Sequence, residues 1–167
     1  MKVRREAERD IPAIREVNRG AFDREVEARL VDDLRSEGYA KVSLVAEEGG
    51  RIVGHIMFSE AVIRTGSGEV AALALGPVAV TPERQGQGIG SALVREGLDQ
   101  CPQTLYQSVF LLGIPGYYPR FGFSADLAGS FSSTYSGEAF MALELVPGAL
   151  AEITGEFEFA PPFEAVS

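Results

Sequence analysis

The 167-residue chain has one cysteine, one histidine and no tryptophan. A lone cysteine, Cys101, can neither form an internal disulfide nor build a thiolate metal site. This scarcity suits a reducing compartment, and we expect a cytoplasmic protein. Long apolar runs are also missing, because the longest, from Val70 to Leu75, is far shorter than the ~20 residues of a spanning helix. We therefore expect no membrane partner.

Basic residues are scarce as well. The 15 Lys and Arg residues stand against 24 Asp and Glu residues, which gives a formal net charge of −9. A general nucleic-acid binder needs a basic face for the phosphate backbone, so we expect no nucleic-acid partner. An acidic surface suits a cationic amine substrate, although many proteins carry such a surface for solubility alone. Length and composition together predict one globular domain over residues 1–167.

The spacing of apolar residues predicts an α/β (α+β) fold. Two amphipathic helices are predicted near the N-terminus, the first from Asp10 to a stop at Gly20 and the second from about Asp23 to Glu37. Segments rich in β-branched residues follow, and glycine turns between them predict an antiparallel meander. The predicted strands of this region are Val3 to Arg5, Val42 to Glu47, Arg51 to Ile63 and Glu69 to Val80.

The last of these strands contains Gly76-Pro77. Because proline lacks the donor that a central ladder needs, we expect the strand to be interrupted there by a bulge or a splay. A helix from about Gly88 to Gln100 and a short buried strand from Val109 to Leu112 come next, which predicts one parallel crossover. Further on we predict a helical turn from Pro115 to Phe121 and a strand from Ala139 to Val146. No pattern assigns a structure to the tail, residues 151–167.

A glycine-rich turn, Gln85 to Gly90, connects a predicted strand to a predicted helix. Its glycine spacing does not fit the Rossmann pattern, and no lysine follows Gly90 as a nucleoside-triphosphate loop requires. The first amides of a helix favour an anion, and glycines let a bulky pyrophosphate approach the backbone. Arg84 and Gln85 could add side-chain donors. Taken alone, the turn fits either an anion site or a tight strand-to-helix connection.

This turn lies in a segment, Val78 to Leu93, that resembles the signature of the GCN5-related N-acetyltransferases, the GNAT superfamily. Gln85, Gly88 and Gly90 fill the core of that signature, which is Gln or Arg, two residues, Gly, one residue, and Gly or Ala. A second match to the same superfamily follows farther along the chain, in the correct order. Together the two matches favour an anion site at the turn over a tight strand-to-helix connection.

The second match is the segment Tyr117 to Phe123, in which Tyr118 stands four residues before a Gly-Phe pair, as is common in this superfamily. Through Gly54 to Ser59 and Phe140 to Leu145, the chain also resembles a bacterial subgroup of predicted N-acetyltransferases. The resemblance covers about residues 1–150. It implies the GNAT fold, a mixed, mostly antiparallel sheet with a central splay and flanking helices.

The resemblance also implies acetyl-CoA as cosubstrate, no metal, and direct attack by a primary amine in a ternary complex. Backbone groups of Val78, Ala79 and Val80 would pair with the pantetheine arm, and an amide near Val78 would polarise the thioester carbonyl. Tyr118 would protonate the departing CoA thiolate. The residues expected to hold the pyrophosphate are Arg84, Gln85, Gly86, Gln87, Gly88, Ile89, Gly90 and Ser91.

The acetyl acceptor and the general base stay open at this point. Glu25 and Glu27 could recognise a cation, because the second helix borders the acceptor site in the superfamily, and Ser59 and Glu60 could line the acceptor pocket. Charged residues on an amphipathic helix are more often only its solvated face. His55 is predicted on a central strand, where a structural role is commoner than catalysis, and a water relay rivals any named base.

Two other functions are compatible with the same residues. One is a noncatalytic acyl-CoA-binding or regulatory domain of the same fold, and the other is a ligand-free interaction module. The acceptor could be a small-molecule amine or a protein amine. A homodimer is compatible with the sequence, and the Phe-rich tail could serve either a dimer contact or an intramolecular cover.

Overall fold

The computed structural model describes residues 1–135 and 137–166. These residues form two compact units, which we call unit 1 and unit 2. Unit 1 comprises residues 1–59, 76–100 and the C-terminal residues from Pro161, and unit 2 comprises residues 60–75 and 101–160. The single domain over residues 1–167 stays a prediction.

The described residues form strands, α-helices and short 3-10 helices. The strands are β1 (Lys2–Arg5), β2 (Ala40–Glu48), β3 (Arg51–Thr65), β4 (Gly68–Val80), β5 (Ser108–Leu112), β6 (Phe131–Ser132), β7 (Phe140–Glu144) and β8 (Gly155–Glu158). The α-helices are α1 (Ile11–Phe22), α2 (Val26–Ser36), α3 (Ile89–Gln100) and α4 (Ala125–Ala128). Short 3-10 helices span Glu8–Asp10, Pro82–Arg84, Tyr118–Phe121 and Pro161–Val166.

The sheet is mixed and mostly antiparallel, which confirms the predicted fold class. Its hydrogen-bonded order is β1-β2-β3-β4-β5-β7, and β8 pairs with β3 and β6. The β1–β2, β2–β3, β3–β8 and β5–β7 pairs are antiparallel. The β4–β5 and β6–β8 pairs are parallel. The predicted crossover through α3 therefore joins two parallel neighbours.

Strand β4 agrees in part with the prediction at Gly76-Pro77. It continues through this dipeptide to Val80 instead of breaking there, and the peptide bond between the two residues is cis. The register pairs between β4 and β5 within the described residues are Leu73 with Val109 and Ala74 with Phe110. Pairing with β5 thus stops before Gly76, which is where the sequence predicts the strands to splay.

The junction between α1 and α2 also differs from the prediction. Helix α1 does not stop at Gly20 but continues to Phe22. A Cβ on Gly20 would make only an ordinary contact of 3.5 Å with Pro82 Cδ, so packing does not require a glycine there. The chain turns instead at Asp23, whose left-handed backbone, φ 54°, cannot belong to a helix. Helix α2 therefore begins at Val26 rather than at Asp23.

Unit 1 packs helices on both faces of its strands. On β3, the buried side chain of His55 contacts Asn18 of α1, while a Cβ on the preceding Gly54 would lie 3.0 Å from Ile89 and Leu93 of α3. Successive residues of a strand point to opposite faces, so α1 and α3 cover opposite sides of β3. Small residues are needed on the α3 side, since a Cβ on Gly97 would lie only 2.3 Å from a ring carbon of Phe58.

Unit 2 has an aromatic core that includes the tail. The ring of Phe110 on β5 stacks on Phe157 of β8, with centroids 4.3 Å apart, and meets Phe131 and Phe140 at 5.4 and 5.6 Å. Offset and edge-to-face rings at these distances add to the stabilisation that burial gives. The tail that the sequence does not assign is therefore, up to Glu158, an intramolecular cover of this core.

Candidate functional site

The glycine-rich turn lies in unit 1, between the 3-10 helix Pro82–Arg84 and the first residue of α3, Ile89. Gly86 and Gly88 have φ angles of 77° and 86°, in the left-handed region that glycine adopts without a steric cost. A Cβ on either glycine would meet no atom within 4 Å. The turn therefore has open space beside its backbone, where a bulky group can approach.

The amides of this turn are available to a ligand. Within the described residues, the N–H groups of Gly86, Gln87 and Gly88 donate to no backbone carbonyl. Ile89 and Gly90 begin α3, and the first amides of a helix have no intrahelical acceptor. Because the helix dipole adds partial positive charge at the same end, the turn has the donors and the polarity that a pyrophosphate needs.

The side chains of the turn mostly hold the turn itself. The Gln85 amide donates to the carbonyl of Val80 at 2.9 Å, and the Gln87 amide donates to the carbonyl of Glu83 at 3.5 Å. Gln85, which the sequence offers as a phosphate donor, thus fixes the exit from β4 in this structure. The Arg84 guanidinium forms an ion pair with Glu48 at 2.6 Å. Ser91 lies in the first turn of α3, half-buried.

The strand before the turn is anchored on β3. The Thr81 amide donates to the carbonyl of Val53 at 2.9 Å, directly after the end of β4. Ala79 is buried, and Val78 and Val80 are half-buried, so alternate residues of this stretch differ in exposure. The residues predicted to bind the pantetheine arm and those predicted to bind the pyrophosphate thus form one continuous segment of unit 1.

Tyr118 lies in unit 2, at the start of the 3-10 helix Tyr118–Phe121. Its ring contacts Phe123 and Tyr117 edge to face, at 6.1 and 5.0 Å between centroids. It also lies against Gly113, where a Cβ would come within 2.3 Å of the ring. Burial raises the pKa of Tyr118 to about 12, and Tyr117 adds to this shift. Among the described residues, the Tyr118 hydroxyl has no hydrogen-bond partner, so its proton is free to be donated.

Tyr117, its neighbour, is a packing residue. The Arg120 guanidinium lies 4.5 Å from the centroid of the Tyr117 ring, and Arg120 Nε donates to the Tyr117 carbonyl at 2.8 Å. Phe121 meets the same ring edge to face at 5.3 Å. These contacts favour Tyr118 over Tyr117 as a proton donor. The position that sequence reasoning missed here is Gly113, for which the only signal is that a small residue stands shortly before the tyrosines.

The two acidic candidates near the start of α2 are both engaged in ion pairs. Glu25 accepts from Arg19 Nε at 2.8 Å, and both side chains are partly exposed. Glu27 is buried and accepts from Arg24 Nε at 2.9 and 3.1 Å. Neither carboxylate therefore stands ready for a cationic ligand without exchanging its arginine partner.

The two candidates at the middle of β3 differ from one another. The Ser59 side chain is completely buried, and within the described residues its hydroxyl has no hydrogen-bond partner. Glu60 accepts a hydrogen bond from the buried Tyr106 hydroxyl in unit 2. Burial, followed by this contact with Glu60, raises the pKa of Tyr106 above its usual value. Ser59 and Glu60 point to opposite faces of β3, because they are successive strand residues.

His55 is a structural residue of unit 1. The Ser43 hydroxyl donates to Glu6 and therefore accepts from His55 Nε2 at 2.9 Å. The other ring nitrogen, Nδ1, accepts from the Asn18 amide at 3.3 Å. Burial, partly opposed by Glu6, lowers the pKa of His55 to about 4, so the ring is neutral at pH 7. With no solvent exposure, it has no path to an amine substrate.

The described residues contain no cluster of three or more His, Cys, Asp or Glu side chains that could hold a metal. Across the same residues, every helix is too short or too polar to span a bilayer. Cys101 is buried, and burial raises the pKa of its thiol to about 12, so it stays protonated. A role for Cys101 as an acyl carrier has no support from these features.

Comparison with known proteins identifies relatives of this chain. Residues 2–125 match the family model described as "Acetyltransferase (GNAT) domain". The chain is 34% identical to the uncharacterized N-acetyltransferase YhbS of Escherichia coli K12, over 98% of both chains.

Solved structures give the same result. A crystal structure of E. coli YhbS in complex with CoA has a TM-score of 0.89 at 32% identity, covering 98% of this chain and 91% of that one. A GNAT family acetyltransferase from Brucella melitensis in complex with acetyl-CoA has a TM-score of 0.80 at 37% identity, covering 97% of both chains.

Proposed function

Because the chain belongs to the GNAT acetyltransferase family, we propose that it transfers the acetyl group of acetyl-CoA to a primary amine by direct attack in a ternary complex. The observation that carries the proposal is the turn Gln85 to Gly90. It offers unbonded amides at a helix N-terminus, and the glycines at positions 86 and 88 leave open space beside them. These features are what a pyrophosphate requires, and the relatives described above were crystallised with CoA and with acetyl-CoA.

In the proposed reaction, the nitrogen lone pair of the amine attacks the thioester carbonyl carbon, and the C–S bond breaks. Backbone groups of Val78 to Val80 hold the pantetheine arm as an added strand would be held, and an amide near Val78 stabilises the developing oxyanion. Tyr118 gives its proton to the leaving thiolate, and the attacking nitrogen releases one proton to water or to a base. A pKa of about 12 keeps Tyr118 protonated throughout the neutral range.

On the acceptor side, we propose that Glu25 and Glu27 recognise the cationic amine and that Ser59 and Glu60 line the acceptor pocket. The acceptor is either a small-molecule amine or a protein amine. The ion pairs of Glu25 and Glu27 support recognition of a cation only if an ammonium group replaces the arginine. Water serves as the proton acceptor at least as readily as a named base, since His55 is buried and neutral.

Two measurements test the proposal. Calorimetry with acetyl-CoA should detect binding to the wild-type protein, and a thiol reagent should detect CoA release with a panel of amines. The Tyr118→Phe variant should lose about 100-fold or more of its turnover while its Kd for acetyl-CoA stays within about twofold, because only proton donation is removed. Tyr117→Phe is the matched control, with turnover close to wild type.

The outcomes separate the rival functions. Absence of acetyl-CoA binding at high micromolar concentration would contradict the proposed cofactor and favour the ligand-free module. Binding without CoA release across the whole amine panel would favour a noncatalytic acyl-CoA-binding domain. Full turnover in Tyr118→Phe would remove Tyr118 from the chemistry and leave the rest of the proposal standing.

A further inference from the structure

Two ion pairs connect the β2–β3 hairpin to the 3-10 helix Pro82–Arg84, which immediately precedes the glycine-rich turn in unit 1. Glu48, the last residue of β2, pairs with Arg84 at 2.6 Å between Oε1 and Nη2. Arg51, the first residue of β3, lies 3.6 Å from Glu83 between Nη2 and Oε1. Each element thus supplies one charge of each sign, and the hairpin turn Gly49-Gly50 separates the two hairpin charges.

The backbone of the glycine-rich turn does not depend on the Glu48–Arg84 pair. The side-chain amide of Gln85 donates to the Val80 carbonyl. The Thr81 hydroxyl donates to the Glu83 carboxylate at 2.9 Å, and the backbone N–H of Arg84 donates to the Thr81 carbonyl at 2.9 Å. Removal of Glu48 would therefore free the Arg84 side chain and leave these bonds in place. The Arg84 side chain is 43% exposed, which leaves its guanidinium free to change direction.

The Glu48 carboxylate binds the Arg84 guanidinium, which a phosphate would also need as its partner. A guanidinium uses the same paired N–H donors to bind a carboxylate or a phosphate. The Arg84 side chain therefore has to leave the Glu48 carboxylate before it can bind a phosphate. Arg84 immediately precedes the amides that form the proposed pyrophosphate site. As long as Arg84 is paired with Glu48, its positive charge is neutralised beside a site that must attract a polyanion.

We propose that Glu48 is a positioning residue that competes with the cofactor for Arg84 and so weakens the binding of acetyl-CoA and CoA. This inference rests on the proposed function, since it requires a phosphate at the turn. When the ligand binds, Arg84 leaves Glu48 for a phosphate oxygen, and when CoA departs the ion pair forms again. Glu48 thereby favours release of the product CoA, a step that limits turnover in many enzymes.

The test is a double-mutant cycle on acetyl-CoA affinity, measured by calorimetry with the full chain. Glu48→Gln should tighten binding by about two- to fivefold, the size of a partly exposed ion pair. Arg84→Gln should weaken binding, and the double variant should bind like Arg84→Gln alone, because Glu48 acts only through Arg84. The gain in Glu48→Gln should shrink between about 50 mM and about 300 mM salt, whereas a purely structural role would not depend on salt.

Glu83→Gln is the matched control. It removes one negative charge from the same region, and its side chain is 65% exposed and not bonded to Arg84 by any contact described above. Its acetyl-CoA affinity should stay within about twofold of wild type. An equal gain in Glu83→Gln, a gain that survives in the double variant, or unchanged or weaker binding in Glu48→Gln would each overturn the inference. Absence of binding in the wild type would instead overturn the proposed function.

Discussion

Protonation of His55 should make the folded protein less stable in mild acid. His55 is the one histidine of the chain, is fully buried, and uses both ring nitrogens in hydrogen bonds. A proton on Nδ1 would point at the Asn18 amide, which is itself a donor there. Burial dominates the shift of the pKa to about 4, Glu6 opposes it, and Arg35 adds to it. The folded state therefore resists a proton that the unfolded chain accepts.

The sign and size of the effect follow from linkage. An unfolded histidine has a pKa of about 6.5, so between pH 6.5 and pH 4 the unfolded chain binds more protons than the folded one. Stability is fully present above this window and falls as the pH falls through it. For this one group the free energy of unfolding should drop by about 1 kcal/mol at pH 6 and about 2 kcal/mol at pH 5, relative to pH 8.

Carboxylates with lowered pKa values do not obscure this window. The pKa of Asp10 is lowered to about 2, chiefly by Arg4. Burial works to raise the pKa of Glu6, but Arg35 and Ser43 outweigh it and hold that pKa below its usual value. Groups with lowered pKa values stabilise the fold above the unfolded pKa of about 4 and lose that contribution only as the pH falls below it. Their titration lies mainly below pH 5.

Urea unfolding followed by circular dichroism at pH 8, 6 and 5 measures the effect. The comparison is with His55→Gln, which keeps a side chain that can accept and donate but does not titrate. The variant should be less stable than wild type at pH 8 and nearly independent of pH down to pH 5. A wild-type free energy of unfolding that is equal at pH 8 and pH 5, or a variant with the same slope, would refute a neutral buried His55.

Two glycine substitutions, each with a second glycine substitution as its control, test the packing on which the site depends. Gly97→Ala should lower the free energy of unfolding by about 1–3 kcal/mol, because its Cβ would collide with a buried ring. Its control, Gly20→Ala, would make an ordinary 3.5 Å contact and should raise the free energy of unfolding by about 0.5–1 kcal/mol. Urea unfolding measures both values, and equal gains in stability in the two variants would contradict the close contact at Gly97. Gly113→Ala should displace the Tyr118 ring and slow acetyl transfer by about 10- to 100-fold in the CoA-release assay. Its control, Gly116→Ala, has open space around the new Cβ and should stay near the wild-type rate. Equal rates in the two variants would contradict the placement of the Tyr118 ring against Gly113.

The elements that the sequence predicts best are those with a strong local pattern. The β2–β3–β4 meander has glycine turns at both ends of β3, and α3 has an apolar stripe that follows the glycine-rich turn, so local rules determine them. Strands β6 and β8 have two and four residues, too few to show a period. The Phe157 ring is held by stacking on Phe110, a residue far away in the sequence, so this contact forms only in the tertiary structure. No local rule could have assigned this part of the chain.

The junction of α1 and α2 shows why a local rule can fail. Glycine often ends a helix by adopting a left-handed backbone, but Gly20 lies inside α1 and does not have a positive φ angle. The turn is made instead by Asp23, one of the few residue types that accept a left-handed backbone at modest cost. The choice between two adequate stop signals is therefore not contained in the sequence spacing, and the ordinary contact at Gly20 does not explain it.

Some features of the candidate site can be predicted from local sequence rules, and others cannot. Backbone donors at the turn follow from glycine spacing and helix geometry, and the structure has such donors at the start of α3. Their role in binding a pyrophosphate stays a prediction. The roles of the Arg84 and Gln85 side chains do not follow, because each depends on a partner from another segment, Glu48 for Arg84 and Val80 for Gln85. The same holds for Tyr118, whose motif predicts the residue, whereas its slot against Gly113 is visible only in the fold.

Net charge does not identify the acceptor, because the acidic candidates near α2 are already neutralised. An ammonium group that bound at either proposed position would have to displace Arg19 from Glu25 or Arg24 from Glu27, and the costs of these two exchanges differ. The Arg19–Glu25 pair is 41% and 48% exposed, so its loss costs about 0–1 kcal/mol, and water can solvate the released arginine. Glu27 is only 7% exposed, and parting it from Arg24 would leave a buried carboxylate dependent on the new ligand alone. Glu25 is therefore the carboxylate that an incoming amine can engage at the lower cost.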